Sequence, residues 1–113
     1  MVEYVCTVQE KQLAEELKPD LTAGLQRLSG EILDMAARDV SVRFREVPRG
    51  AGYRGGLLST TSVIRGTVPA GCNQAVRERL LRAVCDMWTE ITGCDEDEVV
   101  VSAVDEDYVS RVL

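Results

Sequence analysis

The chain contains no histidine in its 113 residues. Histidine is the side chain whose ordinary pKa lies nearest neutrality, and it is the commonest general base. Its absence excludes Ser-His-Asp and Cys-His nucleophilic machinery. Acid–base chemistry is left to a carboxylate, a tyrosine, a cysteine, a lysine or the terminal amine. The four cysteines (Cys6, Cys72, Cys85 and Cys94) form no C-x-x-C pair. With no histidine beside them, neither a metal site nor any other cofactor is expected, and a disulfide framework is not expected in a reducing compartment. Cys85 and Cys94 read as packing residues. No run approaches the ~20 apolar residues of a membrane span, and no charged-then-apolar signal segment opens the chain, so a cytoplasmic protein without a membrane partner is the expectation. Positive charge is also scarce, with 13 Lys and Arg against 19 Asp and Glu for a net charge of −6. That balance argues against a nucleic-acid partner, which needs a net basic footprint. The acids crowd at Asp95-Glu96-Asp97-Glu98 and Asp105-Glu106-Asp107, which read as a solvated face. No phosphate loop occurs: neither G-x-x-x-x-G-K-[ST] nor G-x-G-x-x-G stands in a strand-to-helix context.

The residues present are 45% hydrophobic, enough for one core in a single domain spanning 1–113. Val2 to Val8 is β-branched and aromatic and predicts a strand. Leu17, Leu21, Leu25, Leu28 and Ile32 form an apolar helical stripe. Pro19 fits only a first turn, which sets the helix from about Lys18 to about Met35, with Gln12 to Leu17 a separate turn of helix. Asp39 to Val47 alternates as a second strand, and Pro48 to Gly56 is a loop by its turn signals. Thr61 to Val68 is a third strand. Val76, Leu80, Val84, Met87 and Ile91 give a second helical stripe stopped by Gly93. Val99 to Val104 is a fourth strand, apolar throughout and expected to be buried on both faces. The order is β-α-β-loop-β-α-β. An offset of 60 lays Thr7-Val8 over Thr67-Val68, Leu21 over Leu81 and Val40 over Val100. Two tandem βαβ units, about 1–56 and 57–113, predict an α+β fold: a four-stranded sheet with both helices on one face. The other face stays partly apolar, and a chain this small usually covers such a face by oligomerising.

Val42-Arg43-Phe44-Arg45-Glu46-Val47-Pro48-Arg49-Gly50, followed by Tyr53 and Gly55-Gly56, resembles the second strand and following loop of the tautomerase superfamily. The nearest likeness is to the branch containing cis-3-chloroacrylic acid dehalogenase. Ile64-Arg65-Gly66, Gly71 and a helix carrying Trp88-Thr89-Glu90-Ile91-Thr92-Gly93 resemble the second half of the same proteins. The likeness runs from about Val2 to about Val104, with a short deletion before Thr61. It implies a symmetric trimer with three interfacial pockets near the subunits' N-termini, where an exposed proline serves as base, acid or nucleophile. Val2 stands at the proline's position. The first-helix histidine of the dehalogenase-like branch falls on Ser29, its two carboxylate-binding arginines on Pro69 and Cys72, and its fourth-strand tyrosine on Ser102. Its C-terminal glutamate falls on or near Leu113. The resemblance therefore implies the scaffold without its proline-dependent tautomerase, hydratase or dehalogenase chemistry.

The catalytic candidates that remain are Val2, Cys72 and Tyr53. Removal of Met1 would leave a primary amine at Val2, able to act as a base or to form a Schiff base with a carbonyl compound; the alternative is a blocked or solvated terminus. Cys72, at the start of the second helix, is either a thiolate favoured by the macrodipole or a packed thiol. Tyr53 and Tyr4 are the neutral acids. Tyr4, Ser29, Arg43, Arg65 and Ser102 are the candidates for holding a small molecule. Arg43 and Arg45 share a strand face, and either bind an anionic ligand or pair with Glu46, Glu3 or a neighbouring subunit. Two functions follow. One is a divergent, cofactor-independent enzyme acting on a small carbonyl or enol compound by isomerisation, cyclisation or lyase-type acid–base chemistry. The other is a non-catalytic binder or a partner subunit in a hetero-oligomer with a paralogue.

Overall fold

A computed structural model describes residues 2–107 of the chain. Strand β1 (Val2–Gln9) leads through a turn to helix α1 (Leu17–Leu33), and a short 3-10 turn at Ala37–Asp39 enters β2 (Val40–Val47). A two-stranded hairpin, β3 (Tyr53–Arg54) and β4 (Leu57–Leu58), precedes β5 (Ser62–Val68). Helix α2 (Gln74–Thr92), a second 3-10 turn at Glu96–Glu98 and β6 (Val99–Asp105) complete the order. The four long strands form one sheet in the order β2-β1-β5-β6. Each βαβ unit pairs its own strands in parallel, and the two units meet in the antiparallel pair β1–β5. This is the α+β architecture that the alternating periodicities predict.

Period-two alternation divides the sheet into two faces. Val2, Tyr4, Cys6 and Val8 of β1 and Ile64 and Val68 of β5 are buried against Leu21, Leu25 and Leu28 of α1 and Leu80, Val84 and Trp88 of α2. Both helices therefore lie on one face, their leucine stripes turned inward. Pro19 is the third residue of α1, inside the first turn where a missing N–H costs nothing. Asn73 caps α2 by accepting from the Val76 N–H at 3.0 Å, and Gly93 stops it with φ at 75°. No helix among the described residues is long and apolar enough to cross a membrane.

The structure departs from the sequence expectations at three places. The stretch from Pro48 to Gly56 is not wholly loop: Tyr53-Arg54 pairs with Leu57-Leu58 across Gly55-Gly56. Both glycines hold positive φ (58° and 84°), as a tight two-residue hairpin connection demands. Helix α1 ends at Leu33 rather than near Met35, because Asp34 adopts the left-handed conformation. Finally, β6 is not buried on both faces. It is an edge strand, and Val100 on its outer face is 49% exposed.

Candidate functional site

The face of the sheet away from the helices carries the polar alternates of each strand, and the strand register arranges them in rows. Arg43 lies opposite Val5, Val5 opposite Arg65, and Arg65 opposite Ser102, so one row crosses all four strands. The next row reads Arg45, Thr7, Val63, Val100, and the row before it Ser41, Glu3, Thr67, Val104. Arg43, Arg45, Arg65 and Ser102 line a shared cleft of about 330 Å³. Among the described residues none of these three arginines makes an ion pair, while Glu46 is held by Lys18 at 3.0 Å. Three exposed guanidinium groups thus stand on one face of a chain whose net charge is −6. Guanidinium donors arranged in forks are suited to carboxylate or phosphate oxygens.

The other sequence-derived candidates are distributed differently. Tyr4 and Ser29 come together, but inside the helix–sheet core. Their hydroxyls share a hydrogen bond of 2.8 Å, and the residues are 1% and 0% exposed. Gly66 makes room for the Tyr4 ring, since a Cβ there would lie 2.8 Å from a ring carbon. Burial pushes the Tyr4 phenol above its ordinary pKa, against the opposing pull of the Ser29 hydrogen bond. In the single chain both groups are spent on each other rather than offered to a ligand.

Val2 and Cys72 lie toward the same end of the sheet, where β1 begins and the chain leaves β5 for α2. The Val2 side chain is fully buried in the core, and Cys72 is half-buried, its thiol 3.7 Å from the Asn73 carbonyl. Tyr53 sits at the opposite end of the sheet and is 67% exposed on the hairpin. One chain therefore does not bring the three catalytic candidates together. Met1 and Leu113 lie outside the described residues.

Two groups escaped the sequence reading. Arg77, in the first turn of α2, donates to the Ala103 carbonyl at 2.8 Å, to the Cys72 carbonyl at 3.1 Å and to the Asp105 carboxylate at 2.7 Å. It fixes the segment carrying Cys72 against the end of β6, and the hydrogen bond to Asp105 raises its own pKa. Asp105 is 28 residues away in sequence, so no local spacing announces the pair. At the other end of the sheet the Gln9 amide is buried; it donates to the Ser59 carbonyl and accepts from the Gly50 N–H at 3.3 Å. Beside it, Ser59 and Thr61 hydroxyls donate to Glu98 at 2.5 and 2.9 Å, and Arg54 approaches the same carboxylate at 3.4 Å. Those hydroxyl donors hold the Glu98 carboxyl below the usual range. Gly55-Gly56 between two short apolar or aromatic runs is the signal that could have found the hairpin above this network.

No protein-family model matches the chain, and no curated protein matches it in sequence. Solved structures do match. Native Ps01740 is 32% identical over 91% of this chain and 92% of its own, with a TM-score of 0.86. N1, a member of the cis-3-chloroacrylic acid dehalogenase family, shares the fold at 16% identity over 91% of this chain and 73% of its own, with a TM-score of 0.86. A fused 4-OT symmetric trimer shares it at 14% identity over 91% and 84%, with a TM-score of 0.83. With identity to Ps01740 at this level over nearly the whole of both chains, and with the βαβ-βαβ fold common to all three, the chain belongs to the tautomerase superfamily.

Proposed function

We propose that this chain binds a small carbonyl or enol carboxylate and acts on it by acid–base chemistry that does not use an N-terminal proline. The observation that carries the reading is the row Arg43, Val5, Arg65, Ser102, with its two cations free of ion pairs among the described residues. A carboxylate held by Arg43 and Arg65 and a carbonyl oxygen hydrogen-bonded by Ser102 would polarise the carbonyl, so that the carbon next to it gives up a proton to a base and the enol forms. Position 2 is valine and position 72 cysteine, so the proton acceptors at the neighbouring sheet end are the amine that removal of Met1 would leave and the Cys72 side chain as its thiolate. Isomerisation, cyclisation or lyase-type cleavage all begin from such an enol. The likeness to N1 supports placing the chain nearest the cis-3-chloroacrylic acid dehalogenase branch.

Assembly belongs to the same proposal. The fused 4-OT proteins form symmetric and asymmetric trimers. A homotrimer of this chain would cover Val5, Val63, Val100 and Val104 on the open face. It would also bring the Val2 and Cys72 end of one copy toward the arginine row of another. Within one chain Val2 and Arg43 are ~10 Å apart along the sheet and on opposite faces, so an interfacial pocket is what would join them.

A second reading is a non-catalytic binder or a partner subunit in a hetero-oligomer. The specific observation favouring it is that the Tyr4 hydroxyl, a neutral acid, is closed off by Ser29. One experiment separates these readings. Pyruvate is added to the protein in deuterated buffer, binding is read by calorimetry, and loss of the methyl proton signal reports enolisation. The enzyme reading expects binding, exchange faster than buffer, and roughly tenfold or greater weakening in Arg65→Gln, since a charged hydrogen bond contributes ~1.5–3 kcal/mol. Binding without accelerated exchange leaves the binder. No binding at all removes the proposal. Intact mass and borohydride trapping then test the amine: a mass without Met1 together with an adduct assigns it, and no adduct rules it out as a Schiff-base former.

A further inference from the structure

A cleft of about 300 Å³, a size suited to a small ligand, opens on the helix side of the sheet at the end where β1 finishes. Lys11 comes to it from the turn after β1 and Arg49 from the turn after β2. Thr60 and Ser62 come from the start of β5, and Trp88 and Cys94 from α2 and the turn that follows it. Strand alternation fixes the side. Ser62 belongs with the buried Ile64 and Val68 of β5, which face the helices, whereas Val63 faces the open side. The sheet therefore separates this cleft from Val5, Val63, Val100 and Val104, the residues that a homotrimer would cover.

Two observations point to a ligand there. Ser62 is 4% exposed and lies in the cleft wall. Just before it, Ser59 and Thr61 spend their hydroxyls on Glu98, but the Ser62 hydroxyl has no hydrogen-bond partner among the described residues. Every enclosed side-chain oxygen among those residues has a partner, so the unpaired hydroxyl is the part of Ser62 that meets the cleft. Secondly, neither Lys11 nor Arg49 joins an ion pair among the described residues. Glu10 and Asp95 adjoin Lys11 and Cys94 in sequence, yet neither lines the cleft. Buried Gln9 ties down both cationic turns: its N–H donates to the Gln12 side chain at 3.1 Å, and its amide oxygen accepts from the Gly50 N–H at 3.3 Å. One buried residue thus brings two cations to one cleft that no carboxylate lines.

A tetrahedral oxyanion matches this donor set. It can accept from an ammonium, a guanidinium fork and a hydroxyl at once, and a phosphate group's charge of about −2 balances the two cations. A carboxylate offers only two oxygens in one plane. We propose that this cleft binds a phosphate group, carried by inorganic phosphate or by a small phosphate monoester. Lys11 and Arg49 supply the charge and Ser62 a hydrogen bond. The site is independent of the arginine row on the open face.

The test uses the full chain as it assembles in solution, with alkylation of Cys94 as the reporter. Iodoacetamide is added with inorganic phosphate or phenyl phosphate, against chloride at the same ionic strength, and peptide mass reads each cysteine. Saturating phosphate should slow alkylation of Cys94 several-fold and leave Cys85, which lies outside the cleft, unchanged. Calorimetry should return the Kd of the protection curve. Lys11→Gln and Arg49→Gln should each raise that Kd about tenfold, and Ser62→Ala about fivefold. Lys11 and Arg49 are exposed turn residues, so without phosphate their variants should keep the parent's thermal midpoint. Tighter binding of phenyl phosphate would identify an ester as the occupant, and tighter binding of inorganic phosphate the free anion; either supports the site. Absence of protection at Cys94, or protection undiminished in Arg49→Gln, overturns it. Phosphate binding that Arg65→Gln removes and Arg49→Gln leaves intact overturns it as well, because the anion then sits on the open face. Pyruvate binding and exchange are read separately, so the failure of one site is distinguishable from the failure of the other.

Discussion

Tyr4 and Ser29 provide the sharpest test of how this core is built. Their hydroxyls make a single buried hydrogen bond between β1 and α1, and among the described residues no buried side-chain nitrogen or oxygen lacks a partner. The two deletions are not equivalent. In Tyr4→Phe the serine hydroxyl remains, and a helical serine can turn back to the carbonyl four residues earlier, here Leu25. That variant should lose only the net value of the bond, about 1 kcal/mol. In Ser29→Ala the phenol stays in a site 1% exposed and loses its Ser29 partner, so it bears its desolvation unrelieved. That costs about 2–3 kcal/mol, offset by ~0.5 kcal/mol from the better helix propensity of alanine.

The double variant removes both polar groups and should cost about the same as Tyr4→Phe alone, well below the sum of the singles. For a chain of this size each 1 kcal/mol moves the thermal midpoint by roughly 3–6 °C. The expected losses are thus about 3–6 °C for Tyr4→Phe and about 6–12 °C for Ser29→Ala, with the double variant near the first. Urea unfolding with equal m-values would supply the free energies. If Ser29→Ala were harmless, or the two singles simply added, the phenol would have water or another partner, and its enclosure in the core would be wrong. A Tyr4 hydroxyl facing an open pocket would give that harmless result.

Other expectations follow from burial and charge. Burial pushes the Cys6 thiol up to about 12 from an ordinary 9.0, so iodoacetamide at pH 8 should modify the half-buried Cys72, Cys85 and Cys94 but not Cys6, as read by peptide mass. Because the folded value is the raised one, Cys6 costs no stability below pH 9. Stability then falls as pH rises from about 9 toward about 12, and Cys6→Ala should make the alkaline unfolding curve shallower. Glu98 has the opposite sign: its carboxyl is held below 4.5, chiefly by the Ser59 hydrogen bond. Its contribution is complete above that pH and is lost as pH falls through the folded value, so Glu98→Gln should be less stable than the parent at pH 7, and the difference should shrink as the medium is acidified below the ordinary carboxylate range. Arg77→Met strands two carbonyls and the Asp105 carboxylate, whereas Asp105→Asn leaves Arg77 its two carbonyl acceptors. Denaturant unfolding should place the arginine variant lower by about 2 kcal/mol.

The fold was legible because its elements announce themselves locally. The five apolar residues from Leu17 to Ile32 and the five from Val76 to Ile91 are helical stripes whatever they pack against, and Gly93 marks a stop at any depth of burial. The alternation in Val40 to Val47 correctly placed Arg43 and Arg45 on one face. What failed depended on partners. Strand β6 is apolar in composition, but its burial depends on its place in the sheet order, and a strand at the edge leaves Val100 outward. The hairpin strands are two residues each, too short for any periodicity, and only their glycine connection carries information.

The site was less legible than the fold for a related reason. Arg43 and Arg65 are 22 positions apart and lie in separate stretches of the sequence; they become a pair because both lie opposite Val5. A register is a long-range property, fixed when one residue of β1 chooses its neighbours on both sides. A one-residue slip of β5 would turn Arg65 into the helix core and Ile64 to the outer face, a loss no sheet with one buried side can absorb. The same hydrophobic constraint that buries Ile64 and Cys6 therefore sets Arg65 beside Val5, across from Arg43. The packing of the closed face thus sets the chemistry of the open one, and the three guanidinium groups there are positioned by residues buried on the other side of the sheet.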